Sequence, residues 1–337
     1  MQASFNKQVF TFRFPAGTSR GILHEKTSWF IFLEEEGITG IGECSVIPYL
    51  SPDNPEEMET TLKQLCNHIY SGKNPFEFNL KHFPAICFGL ETALKDLETG
   101  GRGILFPSRF TQGEEGIPIN GLIWMGTREF IEKQIKDKTD AGFRCIKMKV
   151  GALDFDLEMD ILKHVRKNYP EIELRLDANG AFLPDEAMEK LKRLSHLNIH
   201  SIEQPVKPGN WDEMAALCRH SPIPIALDEE LIGILDEKTR MEMLKVIQPQ
   251  YIILKPSLLG GFAESHVWIN CAEETQTGWW VTSALESNIG LNAIAQWVYT
   301  LKNPMVQGLG TGQLYTNNID SPLYIKGEHL FYSPRHD

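Results

Sequence analysis

The sequence predicts an α/β protein in which a small α+β domain precedes a (β/α)8 barrel. With 337 residues, the chain is long enough for one barrel and one additional module. From about Ile117 onward, short apolar runs typical of strands alternate with segments typical of helices. These runs end about every 25 to 28 residues, which is the length of one strand–helix unit. The eight predicted strand ends are Gly121, Lys149, Asp177, Glu203, Asp228, Lys255, Ser283 and Gly308.

The N-terminal part follows a different order, with strands first and helices afterwards. Alternating apolar and polar residues predict three strands, and apolar residues at helical spacing predict two helices. The predicted strands are Phe5–Phe14, Thr27–Glu34 and Gly37–Glu43, and the predicted helices are Pro55–Tyr70 and Pro84–Thr99. This order is typical of a small antiparallel sheet followed by helices. The Gly-, Arg- and Pro-rich stretch 100–116 is interpreted as the linker to the barrel.

Helix signals also stand between the predicted barrel strands. They cover Thr127–Ala141, Asp154–Tyr169 and Pro184–Leu197. The tail after Gly308 has no clear helical pattern, and we expect it to return to the first module. The predicted domains are therefore 1–115, completed by 310–337, and the barrel 116–309.

Composition excludes several functional classes. The formal net charge of −12 argues against binding to nucleic acid or to anionic membranes, although a local cationic cluster still allows a small anionic substrate. The six cysteines show no paired spacing, and no apolar run is long enough for a membrane span or a signal core. We expect a reduced, cytoplasmic protein, and homo-oligomer formation is left open.

Five of the eight predicted strand ends are charged. Lys149 and Lys255 flank three acids that end three successive strands, namely Asp177, Glu203 and Asp228. The carboxyl ends of barrel strands form the active-site mouth, so we expect these side chains to converge. Three converging carboxylates repel one another, and Mg²⁺, or Mn²⁺ in its place, relieves that repulsion. The sequence therefore predicts a divalent metal site.

The flanking lysines predict a reaction at a carbon acid. A carbon next to a carboxylate loses its proton only when the resulting enediolate is stabilised, which a metal ion and a charged lysine both achieve. A second lysine then takes the proton. Lys147 lies two residues before Lys149 on the same strand face, and we expect its charge to favour proton loss from Lys149. The sequence contains no histidine spacing typical of zinc, no dinucleotide-binding loop, no P-loop and no nucleophile elbow.

Polar residues beside these strand ends are further candidates. Asn179 is either a turn residue or a group that contacts the site, and the sequence favours neither reading. Glu229 follows Asp228 directly, and we interpret it as a neighbour of the site or a surface acid. We expect Glu230 to lie on the surface.

Seven short motifs resemble those of the enolase superfamily, and more narrowly its muconate-lactonising subgroup. The barrel motifs are Lys147-Met148-Lys149, Leu176-Asp177-Ala178-Asn179, Ile202-Glu203-Gln204-Pro205, Leu227-Asp228-Glu229 and Leu254-Lys255-Pro256-Ser257, and those of the first module are Gly40-Ile41-Gly42-Glu43 and Phe88-Gly89-Leu90-Glu91. The resemblance covers most of the chain. It implies an α+β capping domain over a modified, TIM-like barrel, with Mg²⁺ held by Asp177, Glu203 and Asp228. It also implies bases at Lys149 and Lys255 on opposite faces of the substrate.

Within the subgroup, the chain most resembles enzymes of menaquinone synthesis that dehydrate a succinyl-substituted cyclohexadiene carboxylate. Arg175 resembles an arginine typical of those enzymes, and Ser283 stands in a segment that resembles the one near the succinyl arm. This resemblance implies that Lys149 is the acid and base, while Lys255 stays charged. The alternatives on the same scaffold are N-acylamino acid racemase, dipeptide epimerase and muconate cycloisomerase. Dipeptide epimerases typically carry a D-x-D after the eighth strand, and 308–312 contains no acid.

Overall fold

The structure is a computed structural model, and it describes residues 1–18, 21–124 and 126–334. Its strands are β1 (Gln2–Thr18), β2 (Gly21–Glu35), β3 (Ile38–Ser45), β4 (Ile117–Pro118), β5 (Gly121–Ile123), β6 (Cys145–Lys149), β7 (Glu173–Asp177), β8 (Ile199–Glu203), β9 (Ile225–Leu227), β10 (Tyr251–Leu254), β11 (Gly278–Val281), β12 (Leu323–Lys326) and β13 (His329–Tyr332). Its α-helices are α1 (Met58–Tyr70), α2 (Pro84–Glu98), α3 (Arg128–Asp140), α4 (Phe155–Asn168), α5 (Pro184–Ser195), α6 (Trp211–His220), α7 (Glu237–Ile247), α8 (Pro256–Leu259), α9 (Gly261–Glu274) and α10 (Asn288–Leu301).

The first domain is an antiparallel sheet, ordered β1-β2-β3, with α2 packed directly on β3. Two glycines of β3 allow this close approach. A Cβ atom on Gly42 would lie 1.8 Å from the Gly89 carbonyl oxygen of α2, and one on Gly40 would lie 2.1 Å from the Ala93 oxygen. The Gly-x-Gly spacing therefore places two open positions on the same face of the strand.

Seven parallel strands, in the order β5 to β11, form the wall of the barrel. The predicted eighth strand is reduced to short bridges at Gln307 and Gly308. Gln307 pairs with Ile119, and Gly308 pairs with Thr282 after β11. Four backbone hydrogen bonds at these two residues, each 2.9 to 3.0 Å long, join the two edges of the sheet. The predicted fold class, a modified barrel with an N-terminal α+β capping domain, is confirmed.

The chain after the barrel makes two separate contacts. Leu314 and Thr316 form backbone hydrogen bonds of 2.8 and 2.9 Å with β1 of the first domain. The hairpin of β12 and β13 instead pairs with β4, at the entrance to the barrel. The tail thus returns to the first module in its first part and contacts the barrel in its second. The boundaries 1–115 with 310–337, and 116–309, stay a prediction.

The sequence analysis also gave expectations about membrane spans and cysteines. None of the helices in the part of the chain that the structure covers is long and apolar enough to cross a membrane. All six cysteines are free.

We predict that Gly42→Ala destabilises the first domain, because the added Cβ overlaps the backbone of α2 rather than a side chain that can move. Overpacking of this kind costs about 3 kcal/mol. Thermal denaturation followed by circular dichroism measures the change, with Ile38→Ala, at an exposed position of the same strand, as the control. A Gly42→Ala variant as stable as the control would show that β3 and α2 are not packed this closely.

Candidate active site

The charged strand ends meet at the carboxyl end of the barrel. Lys149, Asp177 and Glu203 lie side by side in the register of β6, β7 and β8. Asp228 and Lys255 are the first residues after β9 and β10. The three carboxylates are almost fully buried, each about 2% exposed. The spacing of the sequence motifs thus translates into one cluster, because parallel strands all end at the same edge.

Two lysines bridge neighbouring carboxylates. The Lys147 ammonium lies 2.9 Å from Asp177 Oδ2 and also pairs with Glu203. The Lys255 ammonium pairs with Asp228 and lies 3.9 Å from Glu203 Oε1. Burial alone would lower the pKa of both lysines, but the surrounding carboxylates outweigh it and raise the pKa of each. The Lys147 ammonium therefore forms ion pairs with two acids at once.

The cluster contains more acidic than basic side chains. Its buried acids are Asp177, Glu203, Asp228 and Glu229, against the three lysines 147, 149 and 255. Burial and the neighbouring Asp177 raise the pKa of Glu203, whereas for Asp177 the lysines outweigh burial and lower the pKa. Buried charge of this kind is normally balanced by a partner or a metal ion.

The donor set fits a hard divalent cation. Glu203 Oε1 accepts no hydrogen bond from any residue that the structure describes, although it is buried. Carboxylate oxygens are the ligands that Mg²⁺ prefers. As the side chains stand, no three acidic, His or Cys residues within 1–18, 21–124 and 126–334 are arranged to hold a metal ion. The ammonium groups of Lys147 and Lys255 instead lie against the carboxylates that such an ion would use.

Asn179 connects Lys149 to Glu229. Its backbone adopts a left-handed conformation with φ of +43°, and its N–H donates to Asp177 Oδ1 at 3.0 Å. Lys149 Nζ donates to Asn179 Oδ1 at 2.5 Å, and Asn179 Nδ2 donates to Glu229 Oε1 at 3.0 Å. The residue thus forms the turn after β7 and also holds the Lys149 ammonium.

The prediction for Glu230 is wrong, because this acid is only 4% exposed. It accepts hydrogen bonds from Gln204 Nε2 at 3.0 Å and from the Gly209 N–H at 2.8 Å. Gln204 Oε1 in turn accepts from the N–H groups of Asp228 and Glu230. Glu230 is therefore buried between the loops after β8 and β9 and links them by hydrogen bonds. Through Gln204 it also helps to hold the backbone of Asp228.

A cavity opens directly above the charge cluster. Its lining residues are Ile47, Pro48, Leu50, Asn120, Leu122, Trp124, Lys147, Lys149, Asp177, Asn179, Glu229, Lys255, Thr282, Ser283, Ala284, Leu285, Gly308, Gly310 and Thr311. Lys149 and Lys255 stand on β6 and after β10, four positions apart in a barrel of eight, and therefore on opposite walls. A planar acid bound between them presents one face to each lysine.

The sequence analysis missed part of this lining. Ile47, Pro48 and Leu50 come from the loop after β3 of the first domain, so the cavity lies between the two domains. No local pattern marked them, because they reach the barrel only through the packing of the domains. Thr311 was also missed, and its hydroxyl lies 2.6 Å from that of Ser283. The predicted residue Ser283 does line the cavity.

Arg175, which the family resemblance placed among residues that contact or surround the substrate, does not line the cavity. Its side chain is buried inside the barrel, one layer below Asp177, because it stands two residues earlier on the same strand. The guanidinium donates to Glu173 at 2.7 Å and to the Val306 carbonyl at 2.9 Å, and it lies over the Trp280 ring. Arg175 therefore fills the barrel interior and ties β7 to the closing segment.

Comparison with known proteins identifies the family. The family model described as Enolase C-terminal domain-like matches residues 131–331. The chain is 46% identical to the o-succinylbenzoate synthase of Desulfotalea psychrophila, across 97% of this chain and 98% of that protein. This chain belongs to the enolase superfamily and, within it, to the o-succinylbenzoate synthase family.

Two solved structures share the fold of this chain. The crystal structure of MenC from Desulfotalea psychrophila superposes with a TM-score of 0.87 at 43% identity, covering 98% of this chain and 99% of that one. A substrate-liganded L-Ala-D/L-Glu epimerase from Bacillus subtilis superposes with a TM-score of 0.84 at 18% identity, covering 98% and 96%. At that identity the epimerase shares the fold, and no more is concluded from it.

We predict that Mg²⁺ stabilises the folded protein, because it neutralises the excess buried negative charge. A ligand present at 100 times its Kd adds about 2.7 kcal/mol to the free energy of unfolding. Differential scanning calorimetry with and without Mg²⁺ measures this gain. We expect Glu203→Gln to lose it and the exposed control Asp212→Asn to keep it. An undiminished gain in Glu203→Gln would remove Glu203 from the metal site.

Proposed function

We propose that this protein dehydrates 2-succinyl-6-hydroxy-2,4-cyclohexadiene-1-carboxylate to 2-succinylbenzoate, a step of menaquinone synthesis. The observation that carries the proposal is the placement of Lys149 and Lys255 on opposite walls of one cavity, above three carboxylates at adjacent strand ends. This arrangement suits removal of a proton from a carbon that bears a carboxylate. The 46% identity to a synthase over nearly the whole chain supports the choice of substrate.

Asp177, Glu203 and Asp228 would hold Mg²⁺, or Mn²⁺ in its place. When bound, the ion supplies positive charge to the oxygens of the substrate carboxylate, where negative charge increases during proton removal. The orphaned oxygen of Glu203 and the excess of buried acids support this assignment. Lys147 contacts two of the three acids, so we assign it a role in balancing their charge.

Lys149 acts as both base and acid. In its neutral form it takes the proton from the ring carbon next to the carboxylate, and the electron pair moves into the carboxyl group. The same lysine then gives the proton to the departing hydroxyl group, which leaves as water while the ring becomes aromatic. The hydrogen bond to Asn179 holds the Lys149 nitrogen at one side of the cavity throughout.

Lys255 serves as a fixed positive charge on the other wall. Its ammonium pairs with Asp228 and also approaches Glu203, so its position is set by two acids. There it stabilises the negative charge that develops on the substrate carboxylate. Neither proton transfer requires Lys255 to lose its own proton.

The cavity wall argues against a dipeptide substrate. Gly308, Gly310 and Thr311 line the cavity beside Ser283, and 308–312 contains no acid to pair with a substrate ammonium. Burying such an ammonium without a counter-charge costs several kcal/mol. Backbone N–H groups and the hydroxyls of Ser283 and Thr311 suit an anionic or neutral arm instead. Racemisation of N-acylamino acids remains an alternative, because those substrates carry no free ammonium.

A small anionic substrate and a cytoplasmic location complete the proposal, and homo-oligomer formation is left open. Six free cysteines support a reducing compartment. Size-exclusion chromatography with light scattering determines the oligomeric state.

We predict that the two lysines respond differently to substitution. Lys149→Ala removes the acid and base, and we expect a loss of at least about 10³-fold in kcat. Lys255→Arg keeps the positive charge, so it should retain more activity than Lys255→Ala, which we expect to lose about 10²-fold to 10³-fold. Steady-state assays of the dehydration measure all three variants. Near-normal turnover by Lys149→Ala would overturn the assignment of the base.

The substrate assignment is tested by a direct comparison of kcat/KM values. We expect dehydration of the cyclohexadiene carboxylate to exceed epimerisation of every member of a dipeptide library by at least 10³-fold, since the cavity supplies no acid from 308–312. N-succinyl and N-acetyl amino acids are included in the same panel. A dipeptide value equal to that of the dehydration would promote the epimerase, and a dominant N-acylamino acid value would promote the racemase.

A further inference from the structure

Two motifs of the first domain end in glutamates that cap helices of the barrel. Glu43, in Gly40-Ile41-Gly42-Glu43, accepts from the N–H groups of Ser287 at 2.9 Å and Gly290 at 3.0 Å, at the start of α10. Glu91, in Phe88-Gly89-Leu90-Glu91, accepts from the N–H groups at the start of α9. Because a helix N-terminus is positively polarised, each carboxylate binds the first domain to the barrel.

Of the two helices capped in this way, only α10 directly follows a segment that lines the active-site cavity. Ser283, Ala284 and Leu285 line the cavity, and two residues later Ser287 begins α10 as its N-cap. The Ser287 hydroxyl donates to Glu43 Oε2 at 2.6 Å. The first turn of α9, which Glu91 caps, contributes no residue to the cavity lining. Glu43 and Glu91 thus make similar contacts between the domains, but only Glu43 binds the start of a helix that adjoins the cavity wall.

The cavity wall that Glu43 anchors is held in an uncommon backbone conformation. Leu285 has a φ of +62°, which is rare for a residue with a branched side chain. Its carbonyl accepts from the Tyr315 hydroxyl, and the Ala284 N–H donates to Glu286. A left-handed leucine persists only when surrounding contacts hold it, so the shape of this wall depends on its anchors.

The surroundings of Glu43 fix its carboxylate in one place. A Cβ atom on Gly290 would lie 2.9 Å from Glu43 Oε2, so only glycine leaves room for the carboxylate. Ser28 donates to Glu43 Oε1 at 2.7 Å and accepts from the buried Lys26 ammonium at 2.8 Å. The Lys26 nitrogen itself lies 3.8 Å from Glu43. Every one of these groups is almost fully buried.

We propose that Glu43 is a positioning residue of the active site, which holds the Ser283–Leu285 wall in place through Ser287 and the start of α10. Glu43 is not among the residues that line the cavity, so it acts through this wall. The inference deepens the proposed function and rests on it for the choice of substrate. Loss of the anchor loosens the wall against which substrate binds, and leaves Lys149 and Lys255 where they are.

The test compares Glu43→Gln with the matched control Glu91→Gln, since each removes one carboxylate between the domains. We expect the amides of 284–290 to exchange hydrogen about tenfold faster in Glu43→Gln and within twofold of wild type in Glu91→Gln. We also expect Glu43→Gln to raise KM for the cyclohexadiene carboxylate about tenfold, with kcat changed less than threefold. Glu91→Gln should leave KM within twofold, although both variants lose thermal stability.

A milder variant keeps the test decisive if Glu43→Gln does not fold. Ser287→Ala removes the 2.6 Å bond to Glu43 together with the 3.2 Å N-cap bond from the Ile289 N–H, leaves the Glu43 carboxylate in place, and should raise KM about threefold. A KM within twofold of wild type in the folded variants, or an equal rise in Glu91→Gln, would overturn the active-site role. If wild type does not dehydrate the substrate, the proposed function fails, and the exchange comparison still decides whether Glu43 holds the wall.

Discussion

The burial of four carboxylates among three lysines at the barrel mouth is the constraint on which the site depends. Taking these charges out of water is costly unless each is paired, and the lysines alone do not balance the acids. Polar groups of the loops around the cluster accordingly form hydrogen bonds that hold its side chains and backbone in place. Asn179 bonds to both Lys149 and Glu229, and Gln204, which itself donates to Glu230, accepts from the Asp228 N–H. An anionic substrate adds further negative charge, so a cation bound beside the acids and lysines would balance it.

The first domain is joined to the barrel by the same kind of interaction. Glu43 and Glu91 place carboxylates on the N-termini of α10 and α9, where unpaired N–H groups require acceptors. The glycines of both motifs let β3 and α2 approach closely, so a single compact unit presents both acids. Leu50 and its neighbours then complete the cavity from above. The cavity is therefore complete only when the first domain is docked on the barrel.

The sequence predicted the barrel and the charge cluster because both follow from periodicity. Strand ends that recur at the length of a strand–helix unit must meet at one edge, so Asp177, Glu203 and Asp228 were predictable as neighbours. Glu230 was placed wrongly, because nothing local reveals that its loop folds back onto Gly209. Arg175 lies two residues before Asp177 on β7, so alternation places it on the same face, and its contact with the Trp280 ring depends on packing across the barrel that one strand's pattern does not supply.

We propose that the cluster accepts an anion only after a cation has offset its excess negative charge. Isothermal titration calorimetry of 2-succinylbenzoate, with and without saturating Mg²⁺, measures this coupling directly. We expect that removing Mg²⁺ weakens binding of the dianionic product at least 10²-fold, which corresponds to about 2.7 kcal/mol of coupling between the two ligands. Equal affinity for the product with and without Mg²⁺ would contradict it.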